Sequence, residues 1–197
     1  MSRRTETLPD DYFAGIYASE ADPWRFTTSP YERDKYAATL ASLPRARYRA
    51  AFEPACSIGV FTHALSERCD HLLATDPVAT AVRAAQARCA DRPHVEIRRG
   101  GVPADWPEGR FDLIVLSEFL YFLAPEDLAT LVRRVGGAVE PGGDIVLVHW
   151  LGETDYPHSG DGAAEGFIGL AAPFARVLHQ SRTPEYRIDL LRAGTAP

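Results

Sequence analysis

The chain has 197 residues, 46% of them hydrophobic and 24% charged, with a formal net charge of −6. A domain takes about 100–200 residues, so one unit spanning 1–197 is expected, and the composition excludes a disordered or fibrous chain. The acidic balance argues against a nucleic-acid partner, which needs a basic face, and no apolar run reaches the roughly 18 residues of a membrane span.

The N-terminal MSRRTETLPDD has two arginines with no apolar run behind them, so no secretory signal is expected. Cys56, Cys69 and Cys89 are odd in number and show no C-x-x-C spacing, and no two histidines fall at a metal-binding interval. No disulfide framework and no metal are therefore expected, and a reducing, cytoplasmic setting fits. Short basic runs (Arg45, Arg47 and Arg49; Arg98 and Arg99; Arg133 and Arg134) read as solvated surface. Lys35 is the only lysine in the chain.

Ser29-Pro30-Tyr31-Glu32 is the first clear element, a capping-box signature for a helix over 30–43 that stops before Pro44. Strand and helix then alternate: a strand over 50–53, a helix over 59–68 and a strand over 71–75. Asp76 and Pro77 are expected to cap a helix reaching about residue 90, followed by a strand over 95–98. FDLIVL (111–116) has the continuous apolar character of a strand buried on both faces. Ala124-Pro125 opens a helix ending near 138, Pro141-Gly142-Gly143 forms a turn, and DIVLVH (144–149) is a fifth strand. A polar loop over 151–163 precedes a helix over 164–172. Two strands, 174–180 and 185–192, are joined too tightly for a crossover helix, so they pair antiparallel. The expected fold is α/β, a doubly wound, mostly parallel seven-stranded sheet finished by a C-terminal antiparallel hairpin.

The turn after the first strand reads Glu53-Pro54-Ala55-Cys56-Ser57-Ile58-Gly59. Small residues at 55, 57 and 59 let the backbone approach a ligand at the carboxyl edge of the sheet. It is a degenerate acidic-x-G-x-G-x-G pattern, with alanine and serine replacing two glycines. Asp76 ends the second strand, where a carboxylate accepts both hydroxyls of a bound ribose. Glu53 would repel a pyrophosphate and suits the ammonium of a methionine moiety, which favours adenosylmethionine over a nicotinamide dinucleotide.

At this point the chain resembles the class I S-adenosylmethionine-dependent methyltransferases, and among them the nodulation protein S family. The strings that carry the resemblance are ADPWRFTTSPYERDKY (21–36), EPACSIGVFT (53–62), LLATD (72–76), VPADWPEGRFDLIVLSEFLYFL (102–123), PGGDIVLVHWLGETDYP (141–157) and GD (160–161). The resemblance implies a Rossmann-like core over 50–192, an N-terminal helical cap over 1–49 and the 151–163 loop closing over the cleft. Glu53, Ala55, Ser57 and Gly59 would face the methionine and ribose parts of the donor, with Asp76 on the ribose and Pro77 against the adenine. The segment Gly100-Gly101-Val102-Pro103 lacks the family's usual acidic or amide group, so the adenine contact falls to the backbone or to Asp105. Trp24, Arg25 and Tyr31 would close over the donor, with Arg25 or Tyr31 near its carboxylate. Ser117, Glu118 and Tyr121 would lie between donor and acceptor, with His149 or Glu118 as the base. Asp155, Tyr156, His158 and Asp161 would sit on the covering loop.

The implied activity is methylation of a small acceptor, in particular an amine on a sugar-like molecule, with no nucleic-acid or membrane partner. An O-methyltransferase, a non-catalytic adenosylmethionine-binding or scaffold protein, and a nicotinamide dehydrogenase are the alternatives.

Overall fold

A computed structural model describes residues 3–195; Met1, Ser2, Ala196 and Pro197 of the expected unit lie outside them. The seven strands, in chain order, are β1 (Ala51–Pro54), β2 (Leu72–Asp76), β3 (Val95–Arg99), β4 (Phe111–Ser117), β5 (Val139–Trp150), β6 (Ala175–Arg182) and β7 (Tyr186–Ala193). They form one sheet in the order β3-β2-β1-β4-β5-β7-β6. The first five run parallel, and β7 lies antiparallel between β5 and β6. The expected sheet and terminal hairpin are both present.

Alternation along the strands assigns the two faces. Ile114, Leu116, Ile145 and Leu147 pack with α5 (Pro125–Ala138) and α6 (Gly160–Ala171). Leu113, Val115, Val146 and Val148 pack with Phe61 and Leu65 of α3 (Val60–Ser66) and with Tyr36 and Leu40 of α2 (Pro30–Ser42). On α5, Leu128, Leu131, Val132, Val135 and Ala138 recur three to four apart and are all buried. Each of its leucines and valines contributes roughly 1.5–3 kcal/mol by leaving water.

Four local expectations are corrected. A helix not foreseen, α1 (Asp10–Ser19), precedes α2. Pro9 and two aspartates in the first turn start it, but none of its residues is buried, because its apolar side turns toward a cavity rather than the core. Asp76 does not cap a helix: it is the last residue of β2, and α4 (Ala79–Arg88) starts after Val78. Pro141-Gly142-Gly143 is not a turn before the strand but a bulge within β5: Phe111 pairs with Val139 and Leu113 already pairs with Asp144. There Gly142 has φ +74, and a Cβ on Gly143 would meet the Glu140 carbonyl at 2.9 Å. Finally, α6 starts at Gly160, four residues early, because Ser159 caps it and accepts the Gly162 N–H at 3.0 Å.

The strands deliver their carboxyl ends to one edge. Ala55 follows β1, Asp76 ends β2, Gly100 follows β3, Ser117 ends β4 and Trp150 ends β5. All five line a single cleft. Among the described residues no helix is long and apolar enough to cross a membrane.

Candidate active site

The cleft encloses a cavity of about 450 Å³, within the usual size of small-molecule sites. Its floor is the sheet edge, and its roof comes from Phe13 and Tyr17 of α1, Trp24, Phe26, and Tyr156 of the loop after β5. Among the lining residues the charged groups are Asp10, Glu32, Asp76 and Glu118 against Lys35 alone. The cavity is thus a setting for a cation.

Four non-glycine residues among those described have positive φ: Arg25 (57°), Ala55 (57°), Ser57 (54°) and Glu118 (60°). Such backbone costs of order 1–3 kcal/mol each and gathers at functional sites. Three of the four line the cavity. Ala55 and Ser57 therefore keep the backbone of the glycine pattern without the glycines. Gly59 cannot be replaced in the same way: a Cβ there would stand 2.8 Å from Ala85 Cβ and 2.9 Å from Ala85 Cα, at φ +76. Its part is to seat the turn on α4, and it does not line the cavity.

At the β2 end, Asp76 is buried, with Oδ2 accepting the Ser57 N–H and Oδ1 the Val78 N–H, both at 2.9 Å. Burial raises its pKa to about 6 against these hydrogen bonds. Each oxygen keeps one lone pair free, so two hydroxyl donors can still be accepted. Ser57 Oγ also lies 2.5 Å from the Tyr17 hydroxyl, which ties α1 to the turn. Pro77, Gly100, Gly101 and Val102 continue the wall toward β3. Asp105 is occupied by the Gly101 N–H at 3.0 Å and is not on the wall.

At the β4–β5 end, Glu118 is held by three donors. Lys35 Nζ donates to Oε1 at 2.5 Å; the Tyr121 hydroxyl and the Trp150 N–H donate to Oε2, each at 2.8 Å. Lys35 also donates to Glu32 Oε1 at 3.1 Å and sits 4.9 Å from the Tyr31 ring centroid. Tyr31 lines the cavity, and burial lifts its pKa to about 12. Tyr121 lies against Tyr156, ring centroids 5.7 Å apart and nearly parallel. Ser29 caps α2 through the Glu32 N–H, but the Glu32 side chain turns to Lys35, so only half of the capping box forms.

The structure brings Ala55, Ser57, Asp76, Pro77, Val102, Ser117, Glu118, Tyr121, Trp24 and Tyr31 to this one cavity. Four expected residues stay off its wall. Glu53 is 3% exposed, and burial raises its pKa to about 8, so at neutral pH it is protonated beneath the turn. Gly59 packs on α4. Arg25 is exposed, and its carbonyl accepts the Thr28 and Ser29 N–H groups. His149 shares the face of Ile145 and Leu147, fully buried behind the Tyr121 ring at 5.6 Å, with neither ring nitrogen hydrogen-bonded. Burial lowers its pKa to about 4. Of the loop residues, Tyr156 lines the cavity, Asp155 pairs with Arg4, His158 is half-buried, and Asp161 turns to Arg182 and Arg187 on the hairpin.

Sequence reasoning missed Lys35, Glu32, Trp150 and the α1 residues Asp10, Phe13 and Tyr17. The apolar pairs Tyr12-Phe13 and Ile16-Tyr17, four apart, were the available signal for α1. Nothing local marks Lys35, whose partner Glu118 lies 83 residues away.

Known proteins share parts of this sequence and its fold. The family model described as Nodulation protein S (NodS) matches residues 17–148. Nodulation protein S of Rhizobium tropici is 34% identical over 130 residues, 64% of this chain and 54% of that protein. The chain spans about half the length of the curated relatives it matches. A solved structure of a putative methyltransferase from Pseudomonas syringae is 36% identical, with a TM-score of 0.73 over 82% of this chain and 98% of that one. The N-methyltransferase NodS from Bradyrhizobium japonicum WM9, solved with S-adenosyl-L-homocysteine, superposes with a TM-score of 0.82 over 93% of this chain and 98% of that one, at 22% identity. With the family model covering two thirds of its length, and on the fold those structures share, the chain belongs to the nodulation protein S family.

Proposed function

We propose that this protein is an S-adenosylmethionine-dependent methyltransferase acting on the amine of a small, sugar-like acceptor. The observation that carries the reading is the Glu118 carboxylate: three donors fix it, and the remaining lone pair, on Oε1, is left for a ligand at the end of the cavity away from Asp76. A carboxylate so held suits one N–H and a nitrogen that gains positive charge.

The residues fit the donor. Asp76 has two lone pairs for ribose hydroxyls, and the strained turn at Ala55 and Ser57 admits backbone close to the ligand. Pro77, Gly100, Gly101 and Val102 form the wall for the base, and the acid-rich lining suits a sulfonium. Bound S-adenosylmethionine would supply an electrophilic methyl, which the lone pair of a neutral acceptor nitrogen would take while the thioether left with the C–S pair. Glu118 orients the neutral amine through one N–H and stabilises the positive charge developing on nitrogen, a contribution that grows toward the transition state. The proton leaves to water from the methylammonium product. Tyr121, Tyr156, Phe13, Tyr17 and Trp24 exclude water around the reacting atoms. Much of the acceleration is positioning, since one cavity holds both reactants.

Transfer of labelled methyl from S-adenosylmethionine to D-glucosamine, with N-acetylglucosamine as the amine-free control, tests the reading. Methylation of glucosamine alone, reduced at least about tenfold in Glu118→Gln, is expected. Label on N-acetylglucosamine would make the acceptor a hydroxyl, and label on neither would remove the amino-sugar class.

A further inference from the structure

The acceptor end contains a buried ammonium that methyl transfer itself does not require. Only 2% of the Lys35 side chain is exposed, yet Nζ reaches two carboxylates, Glu118 at 2.5 Å and Glu32 at 3.0 Å. Burial works against its charge, but Glu118 and Glu32 outweigh it and raise its pKa above the ordinary value. Lys35 is therefore a fixed cation, and it cannot serve as a base.

The groups facing it come from three elements. Glu32, Tyr31 and Tyr36 stand on α2; Glu118 and Tyr121 follow β4; His149 lies on β5. Without Lys35, Glu118 would lose the donor that fixes Oε1, and Glu32, whose pKa burial already raises, would lose its partner. Freed on that side, the Glu118 carboxylate would no longer present one fixed lone pair to an amine. With Lys35 in place, the hydrogen-bond shell of Oε1 lacks one donor. An acceptor nitrogen gaining charge completes it.

Resting on the amine reading above, we propose that Lys35 is the positioning residue of the acceptor site: the Glu32–Lys35–Glu118 triplet fixes the Glu118 carboxylate and leaves one Oε1 lone pair for the acceptor nitrogen. Lys35 acts through Glu118, to which Nζ donates. It favours an acceptor whose reacting nitrogen gains one positive charge as the bond forms.

Two variants and two readouts test this. Lys35→Met removes the cation, and Glu32→Gln/Lys35→Met removes the cation together with one carboxylate, so that folding survives if the single variant fails. Methylation of D-glucosamine is followed by its kcat and KM, and S-adenosylhomocysteine binding is measured by calorimetry. The expected result in both variants is donor-product affinity within about twofold of wild type and kcat lower by at least about tenfold. Because Lys35 is the only lysine, protein grown on isotope-labelled lysine gives one side-chain ammonium resonance, and Glu118→Gln should move it. Unchanged kcat in a folded Lys35 variant overturns the proposal, as does an unmoved resonance. If wild type binds S-adenosylhomocysteine but leaves glucosamine unmethylated, the acceptor reading fails separately, and the resonance alone decides on Lys35.

Discussion

Asp76 shows how one side chain serves two states. In the free protein its carboxylate closes the strained turn by accepting the Ser57 N–H, and burial holds its pKa near 6. Donation by ribose hydroxyls would favour the ionised form. S-Adenosylhomocysteine affinity should therefore weaken as pH falls below about 6 and be independent of pH there in Asp76→Asn. Asp76→Ala should cost at least about tenfold, or about 1.4 kcal/mol, by calorimetry; unchanged binding would remove Asp76 from the ribose. His149 is the opposite case. Its place at the carboxyl end of a strand suggested a base, but alternation puts it on the α6 side with Ile145 and Leu147, away from the cleft. Kept neutral to about pH 4 in the fold, it takes up a proton below its ordinary pKa only when the chain unfolds. That contribution disfavours the fold increasingly as pH falls from about 6.5 to about 4. Glu53, protonated up to about 8, runs the other way, so comparison with a variant isolates His149. Relative to wild type, His149→Phe should gain about 1.4 kcal/mol for each pH unit below about 6.5 in urea unfolding; a constant difference would refute the neutral buried ring. Lys35 was hidden for a related reason: an ion pair between distant segments leaves no local pattern.

At the scale of elements, the sequence was most readable where burial was complete. FDLIVL and DIVLVH became the central parallel strands because both faces of β4 and β5 are covered by helices. It was least readable where an element answers to a ligand cavity or an irregular ladder. The apolar side of α1 faces the cleft, so it lacks a buried core stripe. The bulge in β5 absorbs a Pro-Gly-Gly that locally looks like a turn. The β1–α3 turn shows both behaviours within five residues. Ala55 tolerates φ +57 at a cost in strain, while Gly59 has no room for a side chain against Ala85. Gly59→Ala should therefore destabilise the protein by roughly 1–3 kcal/mol in chemical denaturation, whereas Ala55→Gly should be neutral or stabilising by up to about 1 kcal/mol through release of the left-handed strain. Equal effects at the two positions would mean that the clash with α4, not the backbone alone, has been misjudged.

Across the whole molecule, the two coverings of the cleft lock to each other rather than standing apart. The Arg4 N–H donates to the Asp155 carbonyl at 2.8 Å, its guanidinium pairs with the Asp155 carboxylate at 3.2 Å, and Arg3 reaches the Tyr156 carbonyl at 3.0 Å. The proposed acceptor would then enter an acid-lined cleft within a chain of net charge −6. Charge of one sign around a low-dielectric cleft concentrates ligands of the other sign, and salt removes the effect as the Debye length contracts from about 10 Å at 0.1 M to about 3 Å at 1 M. The protonated form of the acceptor amine, which gives up its proton to water before transfer, should feel this most. For D-glucosamine, kcat/KM should fall several-fold over about that range of salt through a rise in KM, with kcat nearly constant once both sites are saturated. S-Adenosylhomocysteine, whose charges cancel, should bind with little salt dependence in the same buffers. That contrast separates screening of the acceptor from any loosening of the Arg4–Asp155 latch, which would weaken both ligands together. A kcat/KM that does not respond to salt would mean that the acceptor reaches Glu118 without help from the field of the chain, and an uncharged acceptor would then fit the cavity better.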